Sequence, residues 1–88
     1  MPLYVRLLWI TVHSDDARDA VEGHRQHVKQ LRQEGRLFTA GEFAETDGFL
    51  EIFEAKDLHA ADATLRDSPL VEQGLCSWQL REWHEAAP

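Results

Sequence analysis

The chain has 88 residues, enough for one small domain (1–88), and 43% of them are hydrophobic, which excludes intrinsic disorder. Sixteen acidic against nine basic residues give a formal net charge of −7, which argues against binding to nucleic acid or to an anionic membrane. The single cysteine, Cys76, cannot form an internal disulfide, so we expect a cytoplasmic protein.

The first predicted element is a buried strand over residues 3–12, LYVRLLWITV, in which β-branched, aromatic and aliphatic side chains are interrupted only by Arg6. This run is too short to span a bilayer and is not followed by a cleavage pattern of small residues. We therefore expect neither a membrane anchor nor a signal peptide.

A helix follows, capped by Ser14 or Asp15 and continuing to about Glu34. Gly23 lies inside it and costs about 1 kcal/mol relative to alanine. A second interpretation therefore places a break just before His24, with the preceding residues forming a separate turn or short helix.

His24 occupies a gap on the apolar face of this helix. The apolar residues that define the face by their spacing are Ala17, Val21, Val28 and Leu31. A helix packed on a sheet would direct the imidazole into the protein. His27 lies on a neighbouring position, but two histidines lack the third ligand that a metal site needs, so we expect no metal.

After this helix, the sequence predicts two strands, 36–43 and 48–55, which the polar turn AETD joins as a hairpin. A second helix opens at Lys56 and Asp57 and ends near Asp67, because Pro69 disfavours helix in the residue before it. Its expected buried stripe is Leu58, Ala61 and Leu65. A last strand covers residues 75–83.

The resulting order, β-α-β-β-α-β, predicts an α+β fold, a ferredoxin-like sandwich with two helices on one face of an antiparallel sheet. Large aromatic side chains occur throughout the strands: Trp9, Phe38, Phe49, Phe53, Trp78 and Trp83. A chain this short cannot cover both faces of its sheet, and an exposed apolar face marks an association surface. We therefore expect a homodimer with its two sheets face to face.

Two spaced motifs resemble the YciI-like (YCII-related domain) family of dimeric α+β barrel proteins. The first is HRQHVKQLRQEGRLFTAG, in which the family histidine matches His24 and the strand end matches Ala40 and Gly41. The second is SPLVEQGL, residues 68–75, where the family carries Asp-Pro-(Phe/Tyr)-Val-x-x-Gly-(Leu/Val). The resemblance covers nearly the whole chain as one YciI-like domain.

In this family the histidine pairs with the aspartate that precedes the proline. Here that position is Ser68, with Asp67 one residue earlier, and the aromatic residue after the proline is Leu70. The resemblance thus implies His24 as a general acid and base, oriented by Asp67 or Ser68, unless the pair is lost. A serine would orient the ring without stabilising its cation.

The resemblance also implies a reaction class, because its members and structural relatives include a dehydrochlorinase and, more distantly, muconolactone isomerases. These are cofactor-free proton transfers on small cyclic substrates, so we expect a lyase or isomerase without metal or organic cofactor. The residues expected at the substrate are Arg6, His27, Arg36, Phe38, Gly41 and Leu70. The alternatives are a non-catalytic dimeric module that binds a small ligand or regulates an enzyme, and a structural dimer whose pocket is filled by side chains.

Overall fold

The computed structural model describes residues 1–87, which form one antiparallel sheet with helices on one face. The elements in chain order are β1 (Leu3–Ile10), α1 (Asp15–Gln33), β2 (Leu37–Glu42), β3 (Gly48–Glu54), α2 (Leu58–Arg66), α3 (Pro69–Glu72) and β4 (Cys76–Trp83). The strand order β2-β3-β1-β4 is that of a ferredoxin-like sandwich, as predicted, with the short α3 as an addition. None of the helices within residues 1–87 is long and apolar enough to cross a membrane.

Helix α1 is continuous, so the interpretation that broke it before His24 is wrong. Ser14 caps it, its hydroxyl accepting a hydrogen bond from the backbone N–H of Ala17 at 3.2 Å. Gly23 has a packing role instead: a Cβ added there would lie 2.9 Å from Cγ of Pro69. The missing side chain allows the start of α3 to approach α1 closely.

Helix α2 begins one residue after its cap, Asp57, whose side chain accepts from the backbone N–H of Ala60 at 2.8 Å. The prediction that Leu58 is buried is wrong, since its side chain is 57% exposed. The buried residues of α2 are Ala61, Thr64 and Leu65. At 100° per residue Leu58 lies only about 20° from Leu65 around the helix axis, so its exposure follows from its position as the first residue of the helix.

Strand β1 alternates strictly between the two faces of the sheet. Its residues on the helix side are Tyr4, Arg6, Leu8 and Ile10, all buried. Two apolar clusters fill the space under the helices. The first apolar cluster contains Leu8, Ile10, Ala20, Phe49 and Leu70. The second contains Tyr4, Phe53, Ala55 and Ala61.

The opposite face of the sheet, which we call the outer face, carries no helix. The strand register places these apolar residues on it: Leu3, Val5, Leu7, Trp9, Leu50, Ile52 and Trp83. Trp9 is 37% exposed, and Phe38, whose ring centroid lies 5.7 Å from that of Trp83, is 51% exposed. The aromatic residues of the strands are thus divided between both faces.

Candidate active site

Four polar side chains meet between the sheet and the helices, and each is fully buried. We call them the polar cluster: Arg6, His24, Glu51 and Ser68. Arg6 and Glu51 face each other across β1 and β3, where their Cα atoms are register partners. His24 descends from α1, and Ser68 stands at the start of α3. The cluster lies between the two apolar clusters.

The imidazole of His24 has a polar partner at each ring nitrogen. Nε2 lies 2.7 Å from Oε1 of Glu51, and Nδ1 lies 2.7 Å from Oγ of Ser68. The ring also packs on Phe49, with centroids 4.5 Å apart. An ionised carboxylate only accepts hydrogen bonds, whereas a serine hydroxyl both donates and accepts them.

Glu51 forms a buried ion pair with Arg6. Nη2 and Nε of Arg6 donate to its Oε1 at 2.6 and 3.2 Å. Burial works to raise the pKa of Glu51, but the hydrogen bond from His24 and the charge of Arg6 outweigh it and lower the pKa below its ordinary value. Its second oxygen, Oε2, is buried and has no hydrogen-bond partner among residues 1–87.

His27 connects the polar cluster to the surface. Nη1 of Arg6 donates to its Nε2 at 3.3 Å, so the neutral ring carries its proton on Nδ1. Burial, with the positive charge of Arg6, lowers the pKa of His27 to about 4. The ring is therefore neutral at pH 7.

A cavity of about 440 Å³ opens beside the cluster, between α1 and the segment from α2 to α3. Its polar lining includes His27, Arg36, Thr64 and Asp67, and Gly23 and Pro69 form part of its wall. Nη2 of Arg36 donates to Oγ1 of Thr64 at 2.7 Å, which fixes the guanidinium at the cavity.

Comparison with known proteins identifies the domain. The family model of the YCII-related domain matches residues 3–84. The chain belongs to this family. No functionally curated protein matches it.

Solved structures that resemble this YCII-related domain include three proteins. The first is 5-chloro-2-hydroxyhydroquinone dehydrochlorinase from Burkholderia phenoliruptrix AC1100, in complex with 2,5-dihydroxybenzoquinone (TM-score 0.77, 17% identity, 96% of this chain and 95% of that one). Muconolactone isomerase has a TM-score of 0.78 at 15% identity, over 96% of this chain and 90% of that one. A conserved protein of unknown function from Bacteroides thetaiotaomicron has a TM-score of 0.55 at 12% identity, over 93% and 96%. At these identities the likeness shows a shared fold.

The structure brings together some of the residues expected at the site and separates others. Ser68 is bonded to His24, whereas Asp67 is exposed on the cavity wall and makes no hydrogen bond to His24. Leu70 is fully buried in the first apolar cluster and does not line the cavity. Arg6, His24 and Ser68 are also fully buried, and they lie behind the cavity wall rather than in its lining. Phe38 and Gly41 lie on β2, also away from the cavity.

Glu51 was missed by the sequence analysis. The segment FLEIF places it between Phe49 and Phe53 on the helix side of β3, where an apolar residue is expected. Arg6 is the corresponding exception in β1, and two opposite charges at core positions of two strands were the available signal. Their pairing becomes evident only once the strand register is known.

His24 and His27 are close, with ring centroids 5.8 Å apart. Within residues 1–87, no group of three or more histidine, cysteine, aspartate or glutamate side chains is placed to hold a metal ion.

Proposed function

We propose that this YCII-related domain is a cofactor-free lyase or isomerase that transfers a proton on a small cyclic or aromatic substrate. The observation that carries the proposal is the buried imidazole of His24, held at both ring nitrogens beside a cavity. Imidazole titrates nearest to neutral pH, which suits it to give and take a proton in one reaction cycle.

The cavity between α1 and α2–α3 is the proposed substrate site. Its volume, about 440 Å³, lies in the range of small-molecule pockets. Arg36 supplies a fixed positive charge for an anionic oxygen of the substrate, and the neutral His27 offers its Nδ1–H as a donor. Asp67, on the wall, is a second carboxylate within reach of a bound ligand.

The proposed reaction begins when the substrate displaces the Ser68 hydroxyl from His24. The imidazole takes a proton from a hydroxyl or C–H group of the substrate, and the electron pair of that bond moves into the substrate. In a lyase acting on a chlorinated hydroxyhydroquinone, a hydroxyl proton is taken and the chlorine-bearing ring carbon gains a proton. Loss of a second hydroxyl proton then forms the quinone and expels chloride, so that H⁺ and Cl⁻ leave the substrate. In an isomerase the imidazolium returns the proton to another atom of the same substrate.

The structural relatives support the reaction class. One is named for a dehydrochlorinase and another for muconolactone isomerase. Both reactions remove a proton from a small cyclic molecule, and both proteins share the fold that positions His24 on α1 above the sheet.

The proposed functional unit is a homodimer that joins two outer faces. That face exposes Trp9 and Phe38 around a centre of aliphatic side chains. Uncovered apolar surfaces of this kind favour association. Sedimentation at micromolar concentration should give twice the 10.1 kDa mass of one chain. A single-chain mass throughout the concentration range would contradict the dimer.

A non-catalytic ligand-binding module is the second candidate function. The observation that favours it is the complete burial of His24, whose nitrogens are both engaged. Such a module would bind a small ligand in the cavity without turning it over.

Turnover separates the two candidates. The protein is incubated with 5-chloro-2-hydroxyhydroquinone, monitored by quinone absorbance, and with a muconolactone in deuterium oxide, monitored by NMR for exchange of ring C–H protons. His24→Gln should lower the rate by about 10²–10⁴, the usual loss for a general base. His59→Gln, at an exposed histidine of α2, is the matched control and should leave it unchanged. Saturable binding without exchange or product would favour the binding module.

A further inference from the structure

The two ring nitrogens of His24 face different parts of the molecule. Nε2 points to the sheet, where Glu51 lies 2.7 Å away. Nδ1 points to Ser68, whose two chain neighbours, Asp67 and Pro69, line the cavity. Neither His24 nor Ser68 lines the cavity itself, but Nδ1 is directed toward the segment from Asp67 to Pro69, whose outer residues do.

The two hydrogen-bond partners of the His24 ring differ in whether they determine its tautomer. A serine hydroxyl both donates and accepts, so Ser68 fits either tautomer of the ring. Glu51, kept ionised by Arg6, only accepts. It therefore requires a proton on Nε2 and leaves the lone pair on Nδ1, because the hydrogen bond at one nitrogen sets the state of the other.

Stability does not account for this ion pair. A buried salt bridge is often no more stabilising than well-packed apolar residues of similar volume. Oε2 of Glu51 is moreover buried and unpartnered among residues 1–87, which costs free energy. The flanking residues on the same face of β3, Phe49 and Phe53, show that apolar side chains pack there.

We propose that Glu51 is the positioning residue of this site: it fixes His24 as the Nε2–H tautomer, so that Nδ1 is the atom that takes the proton. When Nδ1 is protonated, the imidazolium donates to Glu51 through Nε2, and the carboxylate balances the new charge. Glu51 thus supplies from β3 the carboxylate that position 68 lacks. The role in turnover rests on the proposed function, whereas the tautomer does not.

The tautomer is tested by NMR on protein with ¹⁵N-labelled histidine rings. In the unmodified protein the neutral His24 ring should carry its proton on Nε2. In the double variant E51Q/S68D, the carboxylate stands on the other side of the ring and the proton should move to Nδ1. The matched control is E82Q, beside the exposed His84, whose Nε2 lies 2.6 Å from Oε2 of Glu82; it should leave the His24 signals unchanged. A proton on Nδ1 in the unmodified protein, or no change in the double variant, would overturn the proposal.

Turnover gives the second measurement. E51Q keeps the shape of the side chain but removes its charge. It should lower turnover by about tenfold or more, because a catalytic histidine loses activity when the carboxylate behind it is removed. The control variant E82Q should leave turnover unchanged. Wild-type turnover in E51Q would overturn the role in catalysis. If no substrate is turned over by the unmodified protein, the proposed function fails, and the tautomer measurement still decides the role of Glu51. If E51Q does not fold, the unmodified protein and the double variant carry the test.

Discussion

The apolar clusters and the polar cluster occupy the same layer, between the sheet and the helices, and are equally buried. The apolar clusters obey the pattern of strand and helix periodicity, with Leu8 and Phe49 facing each other across β1 and β3. Two register pairs along, on the same face of the sheet, these two strands place Arg6 against Glu51. Polar residues at core positions are expected where a protein keeps a functional group. In this layer, β1 and β3 place such residues at one register pair, Arg6 and Glu51.

The apolar clusters and the polar cluster also differ in what stabilises them. Apolar side chains gain free energy from burial whatever their orientation, by about 25 cal/mol per Å². The polar cluster depends on each partner being present, because an unpaired buried charge costs several kcal/mol. Removing one charged member of the polar cluster should therefore lower the free energy of unfolding by more than removing both members of the ion pair. In an apolar cluster, removing two side chains should cost more than removing one.

The largest effect is expected from breaking the ion pair. Arg6→Met leaves the carboxylate of Glu51 buried without its cation and should lower the free energy of unfolding by about 3–5 kcal/mol. The double variant Arg6→Met/Glu51→Met should recover most of that loss, since it removes both charges. Urea unfolding at pH 7 measures both. A loss below about 1 kcal/mol in the single variant would mean that the pair is solvated and that the contrast with the apolar clusters is false.

A smaller effect is expected where α1 and α3 meet. Gly23→Ala places a Cβ 2.9 Å from Cγ of Pro69, so α3 must move and the contact between His24 and Ser68 should lengthen. Overpacking costs about 1–3 kcal/mol, and improved helix propensity returns about 1 kcal/mol, so we expect a net loss of about 1 kcal/mol.

Two controls accompany the Gly23 variant, measured in the same urea titrations. Gly41→Ala adds a Cβ with no atom within 4 Å and should be close to neutral. Gly23→Ala/Pro69→Ala removes the clashing Cγ and should restore stability. A single Gly23→Ala variant that is more stable than the unmodified protein would show that propensity dominates and that close packing at Gly23 does not hold α3 in place.

The sequence predicts the apolar clusters better than it predicts the polar cluster. The element order and the inward direction of His24 follow from spacings of two, three and four residues, and both are confirmed by the structure. The partner at Glu51 depends on the register between β1 and β3, which local patterns do not encode. The prediction for Leu58 failed because spacing identifies a helix face but does not tell how far along the helix that face is covered.

A pH-dependent effect of comparable size concerns the histidine that links the polar cluster to the cavity. The pKa of His27 is lowered to about 4 in the folded protein, from 6.5 in the unfolded chain. Between these values the unfolded chain binds the proton and the folded protein does not, so stability is full above pH 6.5 and falls as the pH drops toward 4. Because His27 is only partly buried, solvent screening reduces its contribution to about 1–2 kcal/mol.

His27→Gln keeps an acceptor for Arg6 but cannot titrate. The loss of stability between pH 7 and pH 4.5, from urea unfolding, should therefore be smaller in this variant by that amount. His59→Gln, at an exposed site, should leave the loss unchanged. An equal loss in His27→Gln and the unmodified protein would show that His27 is solvated and that the polar cluster ends at Arg6.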